Sequence, residues 1–393
     1  MPFDPQADQS APKADLANWR TAPFNRWAFH HVDDIIPSAA IAAPDGTWLL
    51  PDAVFALDEF KLTGTDGAAL DLNGMLTATA TDALVILHGG RIVFEFYANG
   101  NGPHTPHILM SATKSVVGLI AGIVQDRGQL ALDAVVSRYV PEISDTAYAG
   151  ATVRQLLDMR AGVVLQGERL RAYDAATGWT PADGPQRGLH SFFAHMNARQ
   201  RPHGGPFAYV SANTDLLGWV IERATGQSFA ALVQSLLWGP MGAEDGAYIA
   251  LDPQGAPRCT GGLCATARDF ARIGQLIANG GRRGDLQVAP EAFIDDICRN
   301  GDHAAWANGE WGKLFSFAAR SMSYRSGWYV VDDAPQTLFA MGVHGQNLFV
   351  DRANDIVIAK LSSGADPIDY AAIVLTHRAV AEIRRRLLGA RDI

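Results

Sequence analysis

The sequence predicts an α/β (α+β) fold: an antiparallel sheet built from both chain ends and flanked by helices, joined to a mainly helical domain. Three observations carry that expectation. A hairpin signal lies in the first quarter of the chain, strand-like runs fill the last third, and segments of helical period occupy the middle. The implied division is an N-terminal arm over 1–30, a sheet domain from 31–140 and 250–393, and a helical domain over 141–249. A cleft is expected between the last two.

Taken in order, a polar arm runs to about residue 30. Ala83–His88 and Arg91–Tyr97 are rich in β-branched and aromatic residues and are joined by Gly89-Gly90, which reads as a hairpin. Residues 111 to about 127 read as a helix ending near Gly128, and Val153–Met159 as a second. Residues 160–210 are rich in Gly, Pro, Asp and Arg with little periodicity, and so read as a long loop of the kind that walls a cleft. Beyond them Asn213-Thr214-Asp215 reads as the cap of a helix from Leu216 to about Ala224, stopped by Gly226. Amphipathic segments follow from Ser228 to Leu237 and from Thr266 to Ile277. Tyr324–Val331, Thr337–Asp351 and Asp355–Ser362 read as strands, and Ile368–Leu388 as a closing helix.

At 393 residues with 48% hydrophobic and 19% charged content, the chain is long enough to bury a large core. A net charge of -9, with a pI near 5.6 and no basic run, argues against nucleic-acid binding. The first twenty residues lack the basic head and apolar core of a signal peptide, and the longest apolar stretch, near 115–124, is too short to span a bilayer. A cytoplasmic protein with no membrane partner is expected. Cys259, Cys264 and Cys298 lack paired C-x-x-C spacing and read as reduced structural thiols. His30, His31, Asp33 and Asp34 lack the spacing of known metal sites, so no metal is expected.

The chemistry is concentrated in Ser111-Ala112-Thr113-Lys114. Three residues along a helix bring a hydroxyl and an amine onto one face. A serine hydroxyl needs a neighbouring base, and a lysine becomes one only if burial or nearby cations pull its pKa from about 10.4 toward 7. The apolar run after Lys114 offers such a dry setting. Ser10-Ala11-Pro12-Lys13 matches the same spacing, but Pro12 and its polar surroundings preclude a helical pocket. Tyr209-Val210-Ser211-Ala212-Asn213 is the second constellation: Tyr209 is either a half-buried tyrosine before a helix or a proton shuttle beside Lys114. The third is Phe339–Gln346, a strand with glycines at 342 and 345 that is either a packed crossing or an edge presenting an N–H to an oxyanion.

In their order and spacing these segments resemble the serine β-lactamase and D,D-peptidase superfamily, in its class C-like branch with the family VIII carboxylesterases. Gly261-Gly262-Leu263 followed by Thr266–Arg272 is similar to the same branch. Asn25–Phe29, Pro37–Ala40, Tyr209–Asp215 and His344–Leu348 resemble the 6-aminohexanoate-dimer hydrolases, which cleave a linear nylon-oligomer amide and short esters. The resemblance implies a β-lactamase/transpeptidase-like fold. It also implies an acyl-enzyme at Ser111, Lys114 as general base, Tyr209 as proton donor, and an oxyanion hole from the N–H groups of Ser111 and Val343. Substrate contacts are implied for Asp174 and Trp179, in the pattern D-x-x-x-G-W, and for Ser211, Tyr329 and His344. No cofactor is implied, and the partner is a small ester or amide; the oligomeric state stays open, with a homodimer among the options. Ala340-Met341-Gly342 stands where β-lactamases and D,D-peptidases carry a Lys or His before Thr-Gly, so their cationic hook for a carboxylate is missing. A short-ester hydrolase that also takes linear amides is therefore the leading expectation. A weak β-lactamase or D-amino-acid peptidase, and a catalytically silent penicillin-binding-like scaffold, are the alternatives.

Overall fold

The computed structural model describes residues 13–57, 59–181, 184, 187–196, 201–319 and 321–389. Its principal strands, in chain order, are Ser38–Ile41 (β1), Thr81–His88 (β2), Arg91–Tyr97 (β3), His107–Ile108 (β4), Ala247–Ala250 (β5), Leu263–Ala265 (β6), Met322–Arg325 (β7), Trp328–Val331 (β8), Thr337–Gly342 (β9), Gln346–Asp351 (β10) and Ile356–Ser362 (β11). The main sheet is antiparallel, in the order β7-β8-β9-β10-β11-β2-β3. β11 pairs with β2, setting Ile358 opposite Ile86, so the two ends of the chain meet inside one sheet. The hairpin β2–β3 is turned by Gly89 and Gly90 at φ of 59° and 70°, the left-handed pair that a tight hairpin favours.

Two segments expected as single strands are hairpins. Ser326 and Gly327, at φ of 50° and 87°, fold 322–331 back on itself, and Val343–Gly345 does the same between β9 and β10. Both turns are flanked by buried residues, which is why the apolar run conceals them. A second, smaller sheet of order β1-β5-β6-β4 has no counterpart in the sequence reading. Its strands are two to four residues long, too short for an alternating pattern to register.

The helices that frame the site are Thr113–Asp126 (α1), Val153–Leu157 (α2), Glu168–Ala176 (α3), Gly188–Ala194 (α4), Ala212–Thr225 (α5), Phe229–Leu232 (α6), Ala267–Ala278 (α7), Glu291–Arg299 (α8) and Tyr370–Leu387 (α9). α1 is buried on all sides from Thr113 to Val124, as expected of a helix at the centre of a large core. Gly118 lets it approach the β7–β8 turn, because a Cβ there would collide with the Ser326 carbonyl. Ser115 Oγ donates to Gly327 O at 2.6 Å and so ties helix to turn. The span 160–210 is not a continuous loop, for it contains α3 and α4. α5 begins at Ala212, so Asn213 and Asp215 are inside the helix and do not cap it; its end at Gly226, with φ of 69°, is as expected.

One cluster of buried hydrophobic side chains runs from Val85 in β2 through α1 and α5 to Ala359 in β11. The sheet and the helical middle therefore share a core, and β5 straddles the expected boundary at 250. The stretch read as a polar arm is, from Lys13 onward, packed against the body: Trp19, Ala28 and Phe29 are buried. Among the described residues no helix is long and apolar enough to cross a membrane. The S-x-x-K match at residues 10–13 lies mostly outside the described residues.

Candidate active site

β4 leads directly into a tight turn, Met110–Ala112, which places Ser111 just ahead of α1. The turn is held from the small sheet, where Leu109 N donates to Leu263 O at 2.8 Å and Leu263 N to Thr113 Oγ1 at 3.2 Å. Met110 takes φ of 45°, a left-handed conformation that a non-glycine residue adopts only where the surroundings impose it. Lys114 Nζ donates to Ser111 Oγ at 2.9 Å and to Thr260 O at 2.7 Å. Burial lowers the Lys114 amine to about 7; Asp215 opposes that shift and Arg258 adds to it.

Behind Lys114 lies a buried polar hub that the sequence reading missed. Asp215 accepts from Arg258 Nη1 and from Tyr173 Oη, both at 2.6 Å, and from Thr260 N at 2.8 Å. A carboxylate with no exposure is tolerable only when paired and hydrogen-bonded in this way. Through Thr260 the hub fixes the carbonyl that receives the lysine amine. Arg258 also lies over the Trp179 ring, 4.6 Å from its centroid. The signal available in the sequence was Arg258 itself, a lone cation between Pro257 and the Gly261-Gly262 pair.

Tyr209 lines the same cleft as Ser111, stacked on Trp311 with ring centroids 4.4 Å apart. The Lys114 ammonium position is 5.0 Å from its ring centroid. Burial pushes the Tyr209 hydroxyl upward, which keeps it protonated at neutral pH, and the Ser111 hydroxyl offsets this in part. β9 passes alongside. It is an interior strand of the sheet, not an edge, yet β8 pairs only with Thr337–Phe339 and leaves Ala340–Gly342 open on that side. A Cβ on Gly342 would come 2.6 Å from Leu109 O and 3.0 Å from Ser111 N, so only glycine lets the strand reach the serine turn. The Val343 backbone therefore follows immediately after a contact with the Ser111 amide.

The cleft has a volume of about 430 Å³. Ser111, Tyr209, Val343 and His344 line it; Asp174, Trp179, Ser211 and Tyr329 are not among its described lining residues. His344, at φ of 64°, directs Nδ1 to Gly364 O at 2.8 Å and meets the Phe29 ring edge-on, and burial lowers its pKa. Asp174 is not on a loop but on α3, largely exposed; partial burial of its carboxyl raises its pKa, and Arg20 and Arg258 oppose the rise. Trp179 is buried, and its carbonyl accepts from Trp19 Nε1 at 3.0 Å. Ser211 stands at the start of α5. Tyr329 is 2% exposed and stacked on Phe339 at 4.7 Å, inside an aromatic cluster. His30, His31, Asp33 and Asp34 do not form one cluster among the described residues; the His30 side chain meets Asp82 and His107, the ligand-type atoms of the three lying within 4.8 Å of one another in the interior. Asp82 is already engaged there by Asn99, Ser363 and His107. The three cysteines are free and buried.

An antiparallel sheet whose open strand end faces a buried Ser-x-x-Lys turn is the arrangement expected of the serine β-lactamase and D,D-peptidase class. The chain belongs to the β-lactamase family, whose model matches residues 74–382, and it is a hydrolase of that family. It is 32% identical over 365 residues to the 6-aminohexanoate-dimer hydrolase of Paenarthrobacter ureafaciens, covering 91% of this chain and 90% of that one. It is also 32% identical over 219 residues to esterase EstB of Burkholderia gladioli, about half of each protein, at 52%. Among solved structures, a Bacillus anthracis protein provisionally named 6-aminohexanoate-dimer hydrolase superposes with a TM-score of 0.87 at 27% identity, over 97% of this chain and 99% of that one.

Proposed function

We propose that the protein cleaves short carboxylic esters, with linear amides such as 6-aminohexanoate dimer as a second substrate class, through an acyl-enzyme at Ser111. The observation that carries this reading is the 2.9 Å contact between Ser111 Oγ and a buried lysine whose amine is lowered to about 7. In the first step the neutral Lys114 amine takes the Ser111 proton as Oγ attacks the carbonyl carbon. Tyr209 delivers a proton to the departing oxygen or nitrogen and is reprotonated through Lys114. The N–H groups of Ser111 and Val343 receive the carbonyl oxygen as it becomes negative. Water then repeats the sequence on the acyl-enzyme and frees Ser111. The names of the relatives, an amide hydrolase and an esterase, support the substrate classes. Ala340-Met341-Gly342, with no Lys or His before the glycine, lacks the cationic hook, which weighs against β-lactams and peptide carboxylates as preferred substrates.

A base of this kind works only when neutral. For a short p-nitrophenyl ester kcat/KM should therefore rise with pH through about 7 and level off above it, as Lys114 loses its proton. A profile flat from pH 5 to 9 would contradict the role given to Lys114.

Asp174 of α3, near Arg20 and Arg258, is assigned to the amino end of a linear amide, and His344 to the wall of the cleft; buried Trp179 and Tyr329, and Ser211 at the start of α5, are given no substrate contact. In Asp174→Ala the ratio of kcat/KM for an amine-ended amide over a neutral ester should fall several-fold. Equal loss on both substrates would make Asp174 a purely structural residue.

A further inference from the structure

A second buried lysine stands in the cleft and takes no part in the proposed chemistry. Lys360 lies on β11, and its side chain lines the cleft floor while only 3% exposed. It is the one lysine or arginine among the described lining residues. Across the sheet Met341 is registered opposite Asn347, and Asn347 opposite Lys360. Residues directly opposite in antiparallel strands share a face, and all three line the cleft. Neighbouring strands lie about 4.8 Å apart, so the Lys360 backbone is roughly 10 Å across the floor from that of Met341, the residue just before the contact with the serine turn. An extended chain covers that distance in about eight bonds.

The amine has hydrogen-bond acceptors but no counter-charge among the described residues. Nζ donates to Ser362 Oγ at 2.5 Å, but its other acceptors, the carbonyls of Thr79 and Gly345, are both 3.4 Å away. Among the described residues no carboxylate forms an ion pair with it. Asp82, on the far side, is taken up by Asn99, Ser363 and His107. Asp366 and Asp369 also line the cleft but are exposed at its mouth, and Asp369 is committed to Ala372 N as the cap of α9. Buried ammonium groups are normally paired. Gly345, at φ of 98°, lets the β9–β10 turn close over this end of the cleft, since a Cβ there would come 2.9 Å from Ser362 Cβ. Burial lowers the Lys360 amine to about 7, against the pull of Asp82, and an incoming anion would reverse that shift.

We infer that the Lys360 end of the cleft is an anion subsite that receives the terminal carboxylate of a linear substrate whose scissile bond lies at Ser111. The inference rests on the acyl-transfer reading above and names its substrate class: carboxylate-ended chains of about six to eight bonds.

Two substrate pairs test both directions of binding: 6-acetoxyhexanoate against hexyl acetate, and monoethyl suberate against ethyl octanoate. In at least one pair the ratio of kcat/KM, acidic over neutral, should be roughly tenfold or more. That ratio should collapse toward one in Lys360→Met and be largely retained in Lys360→Arg. Ratios near one in the unmodified protein, with the neutral esters turned over, would overturn the subsite while leaving the acyl-transfer reading in place. If no ester is turned over, that reading fails instead, and calorimetry on the unmodified protein decides the subsite by itself. Adipate should then bind where hexane-1,6-diol does not, and indifference between the two would overturn it.

Discussion

In Ser111→Ala, turnover of short esters should fall by about 10⁴-fold or more while the fold is kept. The side chain is small, sits in a turn held by backbone bonds from β6, and donates nothing that the core requires. Its loss leaves Lys114 still bonded to Thr260 O, so no buried amine is orphaned. Kinetics with a p-nitrophenyl ester and a thermal melt on the same preparation check both halves. Residual activity near that of the unmodified protein would remove Ser111 from the chemistry.

The second large effect falls on Asp215. Removing its carboxylate in Asp215→Ala leaves the Arg258 guanidinium buried without its partner and strands the Tyr173 hydroxyl and the Thr260 N–H. Breaking a buried pair in this one-sided way costs about 3–5 kcal/mol. A melt should show a fall of about 4–6 °C, since the shift per kcal/mol shrinks with chain length to about 1.2 °C for a chain of this size. The milder Asp215→Asn should keep more of the fold and reveal the electrostatic role. Asp215 raises the Lys114 amine, so its neutralisation should move the acid limb of the pH–rate profile to lower pH. An unchanged melt in Asp215→Ala would mean that the hub contributes nothing to stability.

The difference between these two sites also marks what could be read from the sequence. Ser111 and Lys114 are three residues apart, so local helical geometry is enough to bring them together. Asp215 finds its partners Tyr173 and Arg258 at separations of 42 and 43 residues. No local pattern encodes such a meeting, and Asp215 looked like one more cap ahead of an apolar run. The hairpin β2–β3 was legible because Gly-Gly separates two β-branched runs. α3 was not, because only Tyr173 and Ala176 are buried along Glu168–Ala176 and charged residues fill the rest. The lack of a cationic hook in Ala340-Met341-Gly342 was visible in the sequence, whereas the alignment of Lys360 with the same cleft depends on the register of three strands.

Acylation at Ser111 is tested most directly with a reagent whose product cannot be hydrolysed. The protein would be treated with a p-nitrophenyl alkylphosphonate, p-nitrophenol release counted, and the modified peptide mapped by mass spectrometry. One equivalent of p-nitrophenol, loss of ester turnover, and the phosphonyl mass on Ser111 are the predicted result. Inactivation with the mass on another residue, or ester turnover that survives saturation with the reagent, would contradict it.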